Sequence, residues 1–183
     1  MKLKEFSGRA QLAEFLHSPD VVTHVLRDDA AIPNNPRLPL LIYNRALQLP
    51  EGDAASVIER LLAANHWGGS WRNGIFPFHH YHSTAHEVPG IAKGEAEVRF
   101  GGEGGKTLHV AAGNAVLIPA GVGHKRLSAT PDLLVIGAYP GGQWADLMRE
   151  GAEDKTGIRK RIAAVKLPAE DPVGGPMLKV WKP

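Results

Sequence analysis

After Gly69 the chain is cut by glycine and proline into short apolar segments, and turns recur at intervals of about ten residues. HEVPGIAKG, AEVRFGGEGG, KTLHVAAGN, AVLIPAGVGH, KRLSATPD and LLVIGAYPGG each carry four to six residues suited to a strand. That rhythm is the one expected of a β-sandwich or barrel. GGEGG (101–105) reads as a hairpin turn, because AEVRF before it and KTLHV after it alternate between two faces. The 21 glycines and 14 prolines suit the same all-β architecture of short strands and tight turns.

The flanks are mixed. SGRAQLAEFLHS predicts a short helix with Leu12, Phe15 and Leu16 on one face. VVTHVLR (21–27) and LLIY (40–43) read as strands around the proline-rich loop DDAAIPNNPRLP. The firm helix is AASVIERLLAANHW, with Asp53 as N-cap and Ala54, Val57, Ile58, Leu61 and Leu62 on a buried face. Asn65 and the Gly68-Gly69 pair end it. Beyond residue 140, GQWADLMREG predicts a short helix, and RIAAVKLP (161–168) and MLKVW (177–181) two further strands. A length of 183 residues suits one domain. Residues 1–69 would pack strands and a helix on the barrel, 70–140 would form its core, and 141–183 would complete it.

Net charge is +2, too small to argue for nucleic acid or an anionic membrane as partner. The N-terminal MKLKEFSGRAQLAEF lacks the apolar region of a signal peptide, and no apolar run approaches membrane-spanning length, so the expected compartment is the cytoplasm. There is no cysteine, which excludes disulfides, thiolate zinc sites and thiol nucleophiles. Any transition metal must therefore be held by nitrogen and oxygen.

Four of the nine histidines lie between His79 and His86, and Glu87 follows at once. In a strand, His80 and His82 project to one side and His79 and Tyr81 to the other. A His-x-His pair is a ready chelate, since both imidazoles reach one ion without bending the backbone. A fourth ligand should come from a neighbouring strand. His124 fits that role, because an apolar strand there enters a Pro-x-Gly turn that presents a histidine. Strict alternation selects His86 rather than Glu87 as the third ligand. A helical zinc motif is a poor reading, since Pro77 and Pro89 flank the segment.

The segment resembles the first cupin motif: Gly74, five residues, His80-Tyr81-His82, four residues, Glu87, six residues, Gly94. The second motif is matched by Gly113, five residues, then Pro119-Ala120-Gly121-Val122-Gly123-His124, with Ser128 where the family has asparagine. The wider chain looks like the YjlB-type branch of small bacterial cupins, on IPNNPRLPLLIY, WGGSWRNGIFPFHHYHSTAHEV and PAGVGHKRL. The resemblance implies a double-stranded β-helix, or jelly roll, here with an N-terminal extension containing one or two helices. It also implies one metal ion held by His80, His82, Glu87 and His124. Choosing Glu87 over His86 requires a bulge or turn at Ser83-Thr84-Ala85. His79 and Tyr139 become candidates for the substrate side, and Trp67, Trp71 and Trp144 packing residues.

Three imidazoles and one carboxylate around a divalent ion leave a charge near +1, which suits an anionic or chelating small molecule. Iron, manganese, nickel, cobalt and zinc all match the donors. The expected function is a metal-dependent oxygenase acting on a small organic molecule. The alternatives are a non-redox lyase, isomerase or hydrolase, or a non-catalytic small-molecule or sugar-binding protein. Exposed sheet edges of a jelly roll make a homodimer the expected assembly.

Overall fold

The computed structural model describes residues 12–181. The described strands are β1 (Asp20–His24), β2 (Leu40–Asn44), β3 (Trp67–Asn73), β4 (His80–Tyr81), β5 (Val88–Lys93), β6 (Glu95–Phe100), β7 (Lys106–Ala111), β8 (Ala115–Leu117), β9 (His124–Ala129), β10 (Leu134–Pro140) and β11 (Met148–Arg149). The helices are α1 (Ala54–Ala64) and α2 (Lys155–Ala164). Two antiparallel sheets face one another, ordered β1-β2-β8-β5-β10-β3 and β11-β4-β9-β6-β7. This is a jelly roll, and β1 and β2 extend its larger sheet.

Burial explains the apolar runs. Leu40 and Ile42 of β2 pack between the sheets, in a core with Val98, Phe100, Val116 and Val135. Leu41 and Tyr43 face the other way, against Ile58, Leu61 and Leu62 of α1. A strand covered on both faces loses the polar half of its alternation, hence LLIY. Asp53 caps α1, accepting from the Ser56 amide at 3.1 Å. The helix lies close on the sheet because Gly90 has no side chain: a Cβ there would come within 2.9 Å of Ile58.

Several expectations are corrected. The Gly68-Gly69 pair does not end α1; Asn65 closes it, and His66, at φ 63°, turns the chain. The pair lies instead inside β3, where Gly69 (φ 62°) accommodates a bulge opposite β10. RIAAVKLP is not a strand. Asp154 caps a helix there by accepting from the Gly157 amide at 2.9 Å, and Ile158 and Ile162, four apart, are its buried side chains. GQWADLMREG is not a helix either, since Met148 and Arg149 pair with β4. MLKVW ends in a single 3-10 turn, Lys179–Trp181, whose Trp181 indole is buried and donates to the Pro39 carbonyl at 2.8 Å. Near the start of the described residues Ala13–Phe15 also form a 3-10 turn and Leu16 is already extended, so the helix expected over SGRAQLAEFLHS is not formed there; its part before Leu12 lies outside the described residues. Among the described residues no helix is long and apolar enough to cross a membrane.

Candidate functional site

His80, His82, Glu87 and His124 line one cavity of about 290 Å³ between the two sheets. His80 and His124 stand opposite each other on β4 and β9, with ring centroids 4.0 Å apart. Glu87 reaches the same place through a bend at Ser83-Thr84, after which it bridges to Ile118. The bend breaks the alternation along the chain, so Glu87 faces the cavity and His86 does not. One carboxylate oxygen of Glu87 lies 3.4 Å from His82 Nε2 and 3.6 Å from His124 Nε2.

Each imidazole is oriented from behind. A carbonyl can only accept, so each Nδ1 bonded to one must carry the proton. His80 Nδ1 donates to the Phe78 carbonyl at 3.1 Å, His124 Nδ1 to the Val122 carbonyl at 3.4 Å, and His82 Nδ1 to the Asp146 carbonyl. This fixes the proton on Nδ1 and leaves Nε2 as the nitrogen with which each ring can bind a metal once it carries no proton.

Asp146 is the residue that the sequence reading missed. Its carboxylate accepts from the Ser83 amide at 2.6 Å, the Thr84 amide at 3.2 Å and both side-chain hydroxyls. It thereby holds the bend that turns Glu87 inward, while its carbonyl holds His82. Arg161 of α2 supports the same bend, donating to the Ser83 hydroxyl at 3.0 Å. The only signal in the sequence was the small polar Ser83-Thr84 pair, which needs a local acceptor.

The charges are mutually adjusted. Burial alone would raise Glu87, but His82, then His124 and His80, hold its carboxyl down at about 2. Burial pulls His82 down, yet Glu87 and the Asp146 carbonyl outweigh it and lift it to about 9. Burial drives His124 down to about 3 and lowers His80 as well.

Tyr139 and Trp71 also line the cavity. The Tyr139 hydroxyl accepts from Trp71 Nε1 at 3.1 Å and donates to Glu87 at 3.3 Å. Burial raises the Tyr139 hydroxyl, which stays protonated. His79 is separated from this group: it is buried on the far side of the strand, its Nε2 3.2 Å from Glu103. His86 is also turned away. Its Nδ1 accepts the Ala120 amide at 2.9 Å, and its ring meets the edge of Trp181 at 4.9 Å. Trp67 is a core residue, whereas Trp144 is 78% exposed.

The donor set suits a divalent ion: three oriented imidazoles and one buried carboxylate at the polar end of an otherwise apolar cavity. In the present side-chain arrangement Glu87 pairs with the imidazoles. Among the described residues no three or more His, Asp or Glu side chains are already closed around a point that would hold an ion.

No protein-family model matches the chain. It is 42% identical over 162 residues to the uncharacterized protein YjlB of Bacillus subtilis, covering 87% of this chain and 95% of the relative. Solved structures with a local likeness include oxalate decarboxylase of Bacillus subtilis, studied for its Mn(II) centres, at 14% identity and TM-score 0.32. That likeness covers 61% of this chain, which spans about a fifth of the decarboxylase (22%). Another is RmlC of Streptococcus suis in complex with dTDP-D-xylose, at 14% identity and TM-score 0.34, covering 67% of this chain and 74% of that one.

Proposed function

The chain belongs to the YjlB-type family of cupins, and on that footing we propose that it is a metal-dependent enzyme, an oxygenase of a small organic molecule. His80, His82, Glu87 and His124 would hold one divalent ion. The observation that carries the reading is the set of three buried imidazoles, each tied at Nδ1 to a backbone carbonyl, with Nε2 of His82 and His124 beside Glu87. Structural histidines do not need three parallel supports of this kind; ligands do.

The ion would supply Lewis-acid and redox chemistry for the reaction with dioxygen. The chain supplies the surroundings. The walls are largely apolar, which strengthens polar contacts at the donor end. Tyr139, held by Trp71, keeps a protonated hydroxyl beside Glu87 and can donate it to an oxygen of a bound molecule. Glu87 accepts that hydroxyl in the resting arrangement, so the proton is already aimed at the site.

The test is oxygen uptake by the iron(II)-loaded protein over a panel of catechol, thiol and keto-acid substrates. Substrate-dependent uptake is expected. No turnover across the panel, with metal and oxygen both present, would count against the oxygenase. Turnover with zinc and without oxygen would instead select the non-redox class, and tight binding without turnover a binding protein.

A further inference from the structure

The cavity has two unlike ends. Glu87, Pro89 and Ile91 occupy alternate positions and all line it. On the facing sheet, Phe100 stands opposite His124, Val98 is two residues further along, and Val110 pairs with Ala96 two residues beyond that. Phe100, Val98 and Val110 line the cavity too. At about 3.3 Å per residue, both walls extend roughly 13 Å from the donors inward. The donors lie at one end, and the wall beyond Glu87 and His124 is hydrocarbon except for Asn73, which the strand pairing sets level with Val135 and Ile91. Among the described residues the lining contains no lysine, arginine or aspartate. The cations on β9 do not supply one: Lys125 is turned to Glu103, and Arg126, although opposite Val98, is not part of the lining.

We infer that this site takes an amphiphile, with one oxygen-bearing head at Glu87 and His124 and an aliphatic or alkyl-aryl body running inward past Val98 and Ile91 to Val110. For the head the inference rests on the proposed metal site; for the body it rests on the cavity alone. A volume of about 290 Å³ is at the small end of ligand cavities and admits one such body. A nucleotide sugar or a short dicarboxylate would set charge or hydroxyls against hydrocarbon with no partner, which is costly.

The probes are 4-alkylphenols, from phenol to 4-hexylphenol, titrated into the metal-stripped full chain and followed by the Trp71 indole N–H resonance. Oxalate and a nucleotide sugar are run beside them. Affinity is expected to rise about fourfold per added methylene until the cavity is full, and then to stop rising. Val110→Phe should move that cut-off to a shorter chain. If that variant does not fold, the wild-type series alone decides. A flat series, or tighter binding of oxalate or the nucleotide sugar than of hexylphenol, overturns the inference. Metal uptake measured on the same protein after a divalent ion is added back separates the two claims. A rising series in a protein that takes up no metal sinks the metal site and leaves the apolar body standing. One equivalent of metal with a flat series does the reverse.

Discussion

Glu87 and His86 are chain neighbours that do opposite work. Glu87 is an ion held among imidazoles, while burial pushes His86 down to about 4, only partly offset by the Lys166 carbonyl. His86 Nδ1 accepts the Ala120 amide, which it can do only when deprotonated. Its folded pKa lies below its unfolded value of about 6.5, so the unfolded chain takes up the proton first. The stability contributed by neutral His86 is therefore complete above about pH 6.5 and is lost as pH falls towards 4. Denaturant titrations of the metal-free protein across pH 4–7 should show this slope, and His86→Gln should reduce it, leaving the share due to His124 and His80. Asp146→Ala removes the acceptor of two amides and two hydroxyls at a part-buried bend, which should cost about 1–3 kcal/mol. By loosening His82 it should also weaken metal binding roughly 10- to 100-fold while leaving every proposed ligand in place. Spacing and the cupin pattern were enough to mark His80, His82, Glu87 and His124 in the sequence. Asp146 could not be read, because its partners are more than sixty residues away and its contact to His82 uses the backbone carbonyl, which any residue has.

Secondary structure was legible where one rule dominated. The α1 face and the short strands β5 to β10 follow from periodicity and turn chemistry. The errors fall where two rules compete. Gly68-Gly69 has the composition of a helix stop, yet tertiary pairing with β10 places it in a strand that must bulge. RIAAVKLP contains strand formers, but Asp154 and the Ile158/Ile162 spacing act over a longer window and give a helix. Ile162 packs with Ile32, Tyr81 and Ala120 behind the histidine strand. Ile162→Ala should cost about 2–5 kcal/mol in denaturant titration. Gly137 is a tighter case: a Cβ there would lie 2.0 Å from the Trp71 ring. Gly137→Ala should cost about 1–3 kcal/mol and shift the indole that holds Tyr139, which near-UV circular dichroism would register.

At the scale of the molecule, the C-terminal segment acts as a clasp. Trp181 is fully buried beneath His86 and hydrogen-bonds Pro39, so residues at opposite ends of the chain share one core. Trp181→Ala should lower stability by about 3–5 kcal/mol, visible as a drop in the denaturant midpoint. The clasp and α1 cover one face of the larger sheet, and the smaller sheet covers the other. The cavity between the sheets is thereby left with its donors at one end. These donors are proposed to hold a metal. The direct measurement is elemental analysis of the purified protein beside a folded His80→Ala/His124→Ala variant. Close to one equivalent of divalent metal is expected in the native protein and almost none in the variant. Equal metal content in the two would contradict the proposal.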